Sequence, residues 1–105
     1  MRTAVAKQHP REMEQDRAAV LAEMLRALGH PVRLRIVALL CRGETHVGNI
    51  ATSLEVPQPI VSQQLRILRM SKVVEVAREN GLAVYRLAEP RLRDLLACME
   101  GCHRE

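Results

Sequence analysis

The stretch that most restricts this chain is VPQPIVSQQLRILRM, residues 56–70. Val61, Leu65 and Leu68 recur at i, i+4 and i+7, the spacing of one apolar stripe on a helix. Gln58, Ser62, Gln63, Arg66 and Arg69 fall largely off that stripe. Their side chains are of the types that bond phosphates and base edges. Pro59 suits a first helical turn, where its missing N–H would have no intrahelical partner. The same pattern also describes an ordinary solvated surface helix, so the flanking segments have to decide.

The segment before it is Val47 to Leu54, a brief helix with Ile50, Ala51 and Leu54 directed inward. Residues 55–58 form a tight connection. A short helix, a turn of about four residues and a second amphipathic helix make the helix-turn-helix pattern. The segments after it are β-like, 73–78 and 82–87, rich in Val and Leu. They are joined by Glu79-Asn80-Gly81, and Asn-Gly is a strong hairpin signal because both residues tolerate positive φ. Arg78, Arg86 and nearby Lys72 make this ribbon basic.

Upstream, residues 11–28 predict a helix, with Ala18, Leu21, Ala22, Leu25 and Leu28 as its stripe. Glu12, Glu14 and Asp16 carry the sign its N-terminal dipole favours. Gly29 ends it. Pro31 opens the next helix, which runs to about residue 41 and is apolar on most sides. The chain finishes with a helix over 89–102, whose apolar face is Leu92, Leu95, Leu96 and Met99. Residues 1–10 read as a flexible arm, and 11–103 as one domain. The fold class is therefore mainly α with a β-hairpin wing, a winged helix-turn-helix of order α-α-α-α-β-β-α. The first and last helices keep apolar faces that a small core does not cover, which predicts a homodimer formed through them.

Composition narrows the function. A chain of 105 residues supports one small core. Tyr85 is its only aromatic residue, which disfavours modules that stack single-stranded bases. The net charge of +4 and pI near 9.5 suit a protein that neutralises a few phosphates. No apolar run is long enough for a membrane span and no hydrophobic segment follows Arg2 and Lys7, so a cytoplasmic chain with no membrane partner is expected. There is no Gly-rich phosphate loop, no paired carboxylate in a pocket pattern and no Ser/His/Asp arrangement, so no enzyme is expected. Double-stranded DNA is the expected partner. The DNA-facing set is Gln58, Pro59, Ser62, Gln63, Gln64, Arg66 and Arg69 on the helix, with Arg78, Asn80 and Arg86 on the wing. A winged helix that docks on protein is the reading from another class.

These residues resemble the ArsR/SmtB family of bacterial winged-helix repressors. Ala27-Leu28-Gly29-His30-Pro31-Val32-Arg33-Leu34-Arg35-Ile36 is similar to the start of that family's second helix. Gln58-Pro59-Ile60-Val61-Ser62-Gln63-Gln64-Leu65 with Leu68-Arg69 is similar to its recognition helix. Asn80-Gly81 and Tyr85-Arg86-Leu87 are similar to its wing. The resemblance spans about residues 25–96. It implies a dimeric repressor that binds its operator until an inducer weakens the complex. Lys72 departs from it: the family usually has a left-handed Gly there, and Lys costs stability or changes the exit angle.

The inducer is carried by other residues. The family's thiolate site on the third helix looks lost, with His46 and Gly48 in place of two cysteines. Its zinc site on the last helix falls near Glu89, Arg91, Cys102 and Glu105, and Arg91 cannot ligate a cation. Three cysteines remain, Cys41, Cys98 and Cys102, an odd count that argues against a structural disulfide framework. Cys98 and Cys102 stand at i and i+4, a spacing that suits a thiophilic metal or metalloid, with Cys41 or His103 as a further ligand. In one branch of the family, which senses persulfides and oxidants, a cysteine on the second helix and one on the last form the switch. The resemblance to that branch makes Cys41 with Cys102 or Cys98 the expected sensor, no cofactor being required. Cys41 lies about one helical turn beyond that branch's second-helix position, and Cys102 a little short of its last-helix position. Cys41 also fits the role of a small buried core residue. His30 and His46 read as structural or solvated. Met13, Met24, Met70 and Met99 read as core or interface fillers.

Overall fold

The computed structural model describes residues 13–104, with side chains through Glu100. The arm expected over residues 1–10 lies outside them. In chain order the elements are α1 (Gln15–Leu28), α2 (Pro31–Leu40), β1 (Thr45–His46), α3 (Val47–Leu54), α4 (Gln58–Met70), β2 (Val74–Glu79), β3 (Leu82–Leu87) and α5 (Arg91–Arg104). This is the expected winged helix-turn-helix, with one strand more than the sequence predicts. The link before α3 pairs antiparallel with β3, Thr45 opposite Tyr85 and His46 opposite Val84. The sheet order is β1-β3-β2.

Proline sets the starts of α4 and α5, and α5 begins two residues later than the expected 89. Val56 precedes Pro57, and Glu89 precedes Pro90, positions pushed toward extended backbone. Helix α4 therefore begins at Gln58 with Pro57 as its N-cap, and α5 begins at Arg91. At α1, Glu14 is an extended N-cap with no side-chain capping bond, and the helix starts at Gln15. His30 and His46 are both structural. The His30 Nδ1 accepts the Val32 N–H at 3.2 Å at the start of α2. The His46 Nδ1 accepts the Asn49 N–H at 3.3 Å at the start of α3. They hold the place usually taken by Ser, Thr, Asp or Asn.

The core lies where α2, α3 and α4 meet the sheet. Ile36, Val37, Leu40, Ile50, Val61, Leu65, Leu68 and Val73 are sealed from solvent. Met24, Ala27 and Leu28 close it from α1, and Leu92 is the one buried residue of α5 among those described. Burying each such aliphatic side chain is worth about 1.5–3 kcal/mol, so the orientation of α4 is set by the core itself.

Two tight turns hold α4 at the required angle. Glu55 ends α3 in the left-handed region at φ 56°. The Val56 N–H reaches the Ala51 carbonyl at 3.1 Å, and the Glu55 N–H reaches Thr52 at 3.3 Å. Lys72 repeats the arrangement after α4 at φ 62°, with Val73 N–H to Leu68 at 2.9 Å and Lys72 N–H to Arg69 at 3.0 Å. Both are Schellman turns, which normally put glycine at that position. The expected left-handed site at Lys72 is thus present, and Lys occupies it.

Candidate nucleic-acid interface and cysteine cleft

The α4 residues divide by face. Val61, Leu65 and Leu68 point into the core, while Gln58, Pro59, Ser62, Gln63, Arg66 and Arg69 are all exposed. None of those six has a side-chain hydrogen bond among the described residues, so their donors and acceptors are available to a partner. Gln64 is different. Its Oε1 accepts from the Arg33 Nη1 at 2.9 Å, and the Arg33 Nε donates to the Ala27 carbonyl at 2.7 Å. Gln64 therefore braces α4 against α2 and the end of α1, which removes it from the freely presented set. Arg33 is a bracing residue the sequence pattern did not single out. Its signal was the Arg after Pro31, read only as part of a family resemblance.

The wing is a two-stranded ribbon in clean register, Glu79 opposite Leu82 and Val74 opposite Leu87. Asn80 and Gly81 turn it with φ of 54° and 80°, as the paired positive-φ turn requires. The Arg78 Nη1 donates to the Gly81 carbonyl at 3.0 Å, so Arg78 lies along the tip. Arg86 is committed elsewhere. Its Nε donates to the Glu75 Oε2 at 2.9 Å, and its Nη1 lies 3.6 Å from the Glu44 Oε1. The hydrogen bond to Glu75, then its charge, and more weakly Glu44 hold the guanidinium in its charged form. Arg86 thus ties β3 to β2 and to the segment before β1. The wing is also less basic than expected, because Glu75 and Glu79 offset Arg78 and Arg86.

Cys41 and Cys98 are not brought to one place. Cys41, half-buried at the end of α2, lines a surface cleft of about 430 Å³ between α2, α3 and α5. From α5 that cleft is lined by Arg93, Leu96, Ala97 and Glu100. Cys98 does not line it and is exposed. Cys102 and His103, expected as sensor or ligand residues, lie outside the residues whose side chains are described. The Arg93 Nε donates to the Cys41 carbonyl at 2.9 Å, pinning α5 to the end of α2. Burial pushes the Cys41 thiol up, Arg93 opposes this, and Glu100 adds to it. Among the described residues no three His, Cys, Asp or Glu side chains assemble a cation site. None of the described helices is long and apolar enough to cross a membrane.

A continuous apolar surface runs along α1, α2 and α5. One groove of about 690 Å³ is lined by Val20, Leu21, Met24, Leu25, Leu92 and Leu95 together with charged residues at its rim. A second, of about 400 Å³, shares Leu25 and Leu95 and continues over Leu34, Ala38 and Met99. Leu25 is 55% exposed and Met99 61%. Met24 is a core residue as expected, whereas Met13, Met70 and Met99 stand exposed.

A helix-turn-helix with this wing and this polar face defines a class of DNA-binding regulators. The profile described as "Bacterial regulatory protein, arsR family" matches residues 30–76. The Biofilm growth-associated repressor of Xylella fastidiosa is 38% identical over 96 residues, which is 91% of this chain and 84% of that protein. The crystal structure of the transcriptional repressor BigR from Xylella fastidiosa superposes with a TM-score of 0.72 at 36% identity, covering 87% of this chain and 93% of that one. The homodimeric winged helix-turn-helix domain of Mb0332 from Mycobacterium bovis gives 0.73 at 30% identity, covering 89% and 92%. The chain belongs to the ArsR family of bacterial regulatory proteins, the ArsR/SmtB repressors.

Proposed function

We propose that this chain is a homodimeric transcriptional repressor that reads an operator with α4 and is released by an inducer sensed at cysteine thiols. The observation that carries the DNA-binding part is the free outward face of α4, held rigidly by a fully buried inward face. Gln58, Ser62 and Gln63 meet base edges in the major groove, and Arg66 and Arg69 meet phosphates. Pro59 lies on the same face in the first turn. Arg78 and Asn80 steady the wing tip on the backbone or minor groove. Gln64 and Arg86 are positioning residues, since their polar groups are engaged within the chain. The apolar surface of α1, α2 and α5 meets its copy across a two-fold axis, so that two recognition helices address two half-sites. Such a regulator acts in the cytoplasm.

The test is the double substitution Gln63→Ala with Arg66→Ala. It removes operator binding while the dimer and its helical signal persist; unchanged affinity contradicts the assignment.

For the sensor, Cys41 with Cys102 or Cys98 is the pairing proposed, responding to persulfides or oxidants. Its support is the place of Cys41, in a cleft that joins α5 to the end of α2 and to α3. A switch there can alter both the dimer helix and the helix-turn-helix. Burial pushes the Cys41 thiol up, which slows its own attack on a persulfide. Non-reducing peptide mapping after exposure to a low-molecular-weight persulfide tests the pairing. A Cys41 link to Cys98 or Cys102, direct or through added sulfur, supports it. Unlinked thiols favour the second reading, a thiophilic ion held by Cys98, Cys102 and His103.

A further inference from the structure

The N-terminal half of α4 carries on its outward face an aliphatic side chain that neither phosphate binding nor the core explains. Ile60 lies in the first turn, is 40% exposed and is not among the residues packed on the core. Its N–H is already satisfied by the Pro57 carbonyl at 3.0 Å, so only its aliphatic surface is on offer. Two other aliphatic residues of α4, Ile67 and Met70, are exposed, but they stand in its C-terminal half. Met70 lines a depression against α1 with Ala19, Val20 and Glu23. Ile60 stands apart from that patch and from the α1–α5 surface. It shares the helix's first two turns with Gln58, Ser62 and Gln63.

Recognition helices place their N-terminal residues on base edges. In the major groove the one apolar feature of a base pair is the 5-methyl group of thymine. Gln63 follows Ile60 at i+3, so the two side chains stand about 5–6 Å apart on neighbouring surface. That is one to two base-pair steps along the duplex at about 3.4 Å each. A glutamine at such a position suits adenine, whose N6 and N7 it can engage together. We infer that Ile60 is a specificity residue that contacts a thymine methyl group, one or two steps from the base read by Gln63. Ile60 is β-branched, so its χ1 is restricted in a helix. Its methyl groups are therefore presented with little loss of side-chain freedom on binding.

The inference rests on the recognition-helix reading, and the experiment separates the two. A duplex is selected from a random library with the wild-type chain. Each dT is then replaced in turn by dU, which removes only the methyl group. Wild-type affinity falls about fourfold at one position per half-site, the worth of one methyl taken out of water. With both half-sites substituted it falls about sixteenfold, if the half-sites act independently. Ile60→Ala binds the dT and dU duplexes equally, with helical signal and dimer mass unchanged. The inference is overturned if no dT→dU change weakens the wild type, or if Ile60→Ala keeps the full discrimination. Gln63→Ala with Arg66→Ala is the control. If it loses binding while Ile60→Ala still discriminates, Ile60 alone has been misassigned. If it binds as the wild type does, α4 does not read DNA and both readings fail.

Discussion

Helices α4 and α5 carry the same kind of apolar stripe and meet different fates. In α4, Val61, Leu65 and Leu68 are 0%, 1% and 0% exposed, covered by α2, α3 and β2. In α5, Leu92 is buried, but Leu95 and Met99 face solvent. Amphipathic spacing states only that a face must be covered; it does not say by what. A stripe covered within the chain makes α4 a rigid mount for the groups on its other side. In the reading proposed above, the open stripe of α5 is covered by a second copy, so a change in this helix is passed to the other protomer.

That contrast can be broken at either end. The largest effect is expected in α4: Leu65→Ala leaves a cavity under the recognition helix and costs about 2–5 kcal/mol, read from denaturant unfolding. A loss below 1 kcal/mol would mean that α4 is not held by its core face. Next, Leu95→Asp with Met99→Asp puts charge on the open face. The dimer becomes a monomer by light scattering, while helical content is largely kept. Persistence of the dimer would place its interface elsewhere.

Smaller effects sharpen the account. Lys72→Gly relieves a left-handed non-glycine residue at the exit of α4 and stabilises the fold by about 1 kcal/mol. No gain would mean that the Lys72 side chain repays its backbone strain through a contact of its own. Smallest is the Cys41 titration. Its thiol is raised by burial, so alkylation accelerates at a higher pH than for an ordinary thiol. Arg93→Ala removes an opposing charge and moves that rise further up; Glu100→Gln moves it down. Mass spectrometry of the alkylated Cys41 peptide against pH reads all three.

The hairpin was the most legible element, because Asn80-Gly81 and the alternation around it leave one register. The strand β3 bounds agree with expectation, and so do those of α3. The start of α5 was displaced from 89 to Arg91 because Pro90 restrains the residue before it, a local rule that outweighs periodicity. The short β1 pairing was not legible, since two residues carry no period. Within the site, the five free polar residues of α4 follow from the stripe alone. The engagement of Gln64 by Arg33 does not, because it joins residues 31 positions apart. Nor does the capture of Arg86 by Glu75 and Glu44, which depends on strand register and on β1. The separation of Cys98 from the Cys41 cleft likewise needs the rotation of α5 about its axis, which no spacing within α5 encodes.

The proposed reading of duplex DNA has α4 and the wing place a few cationic side chains per protomer on its phosphates. Its most direct test is the salt dependence of operator binding, measured by fluorescence anisotropy. Arg66, Arg69 and Arg78 from two protomers predict a slope of log K against log salt of about −5, and Arg66→Ala makes it shallower by about 2. A slope near zero, or one that Arg66→Ala leaves unchanged, would contradict the account.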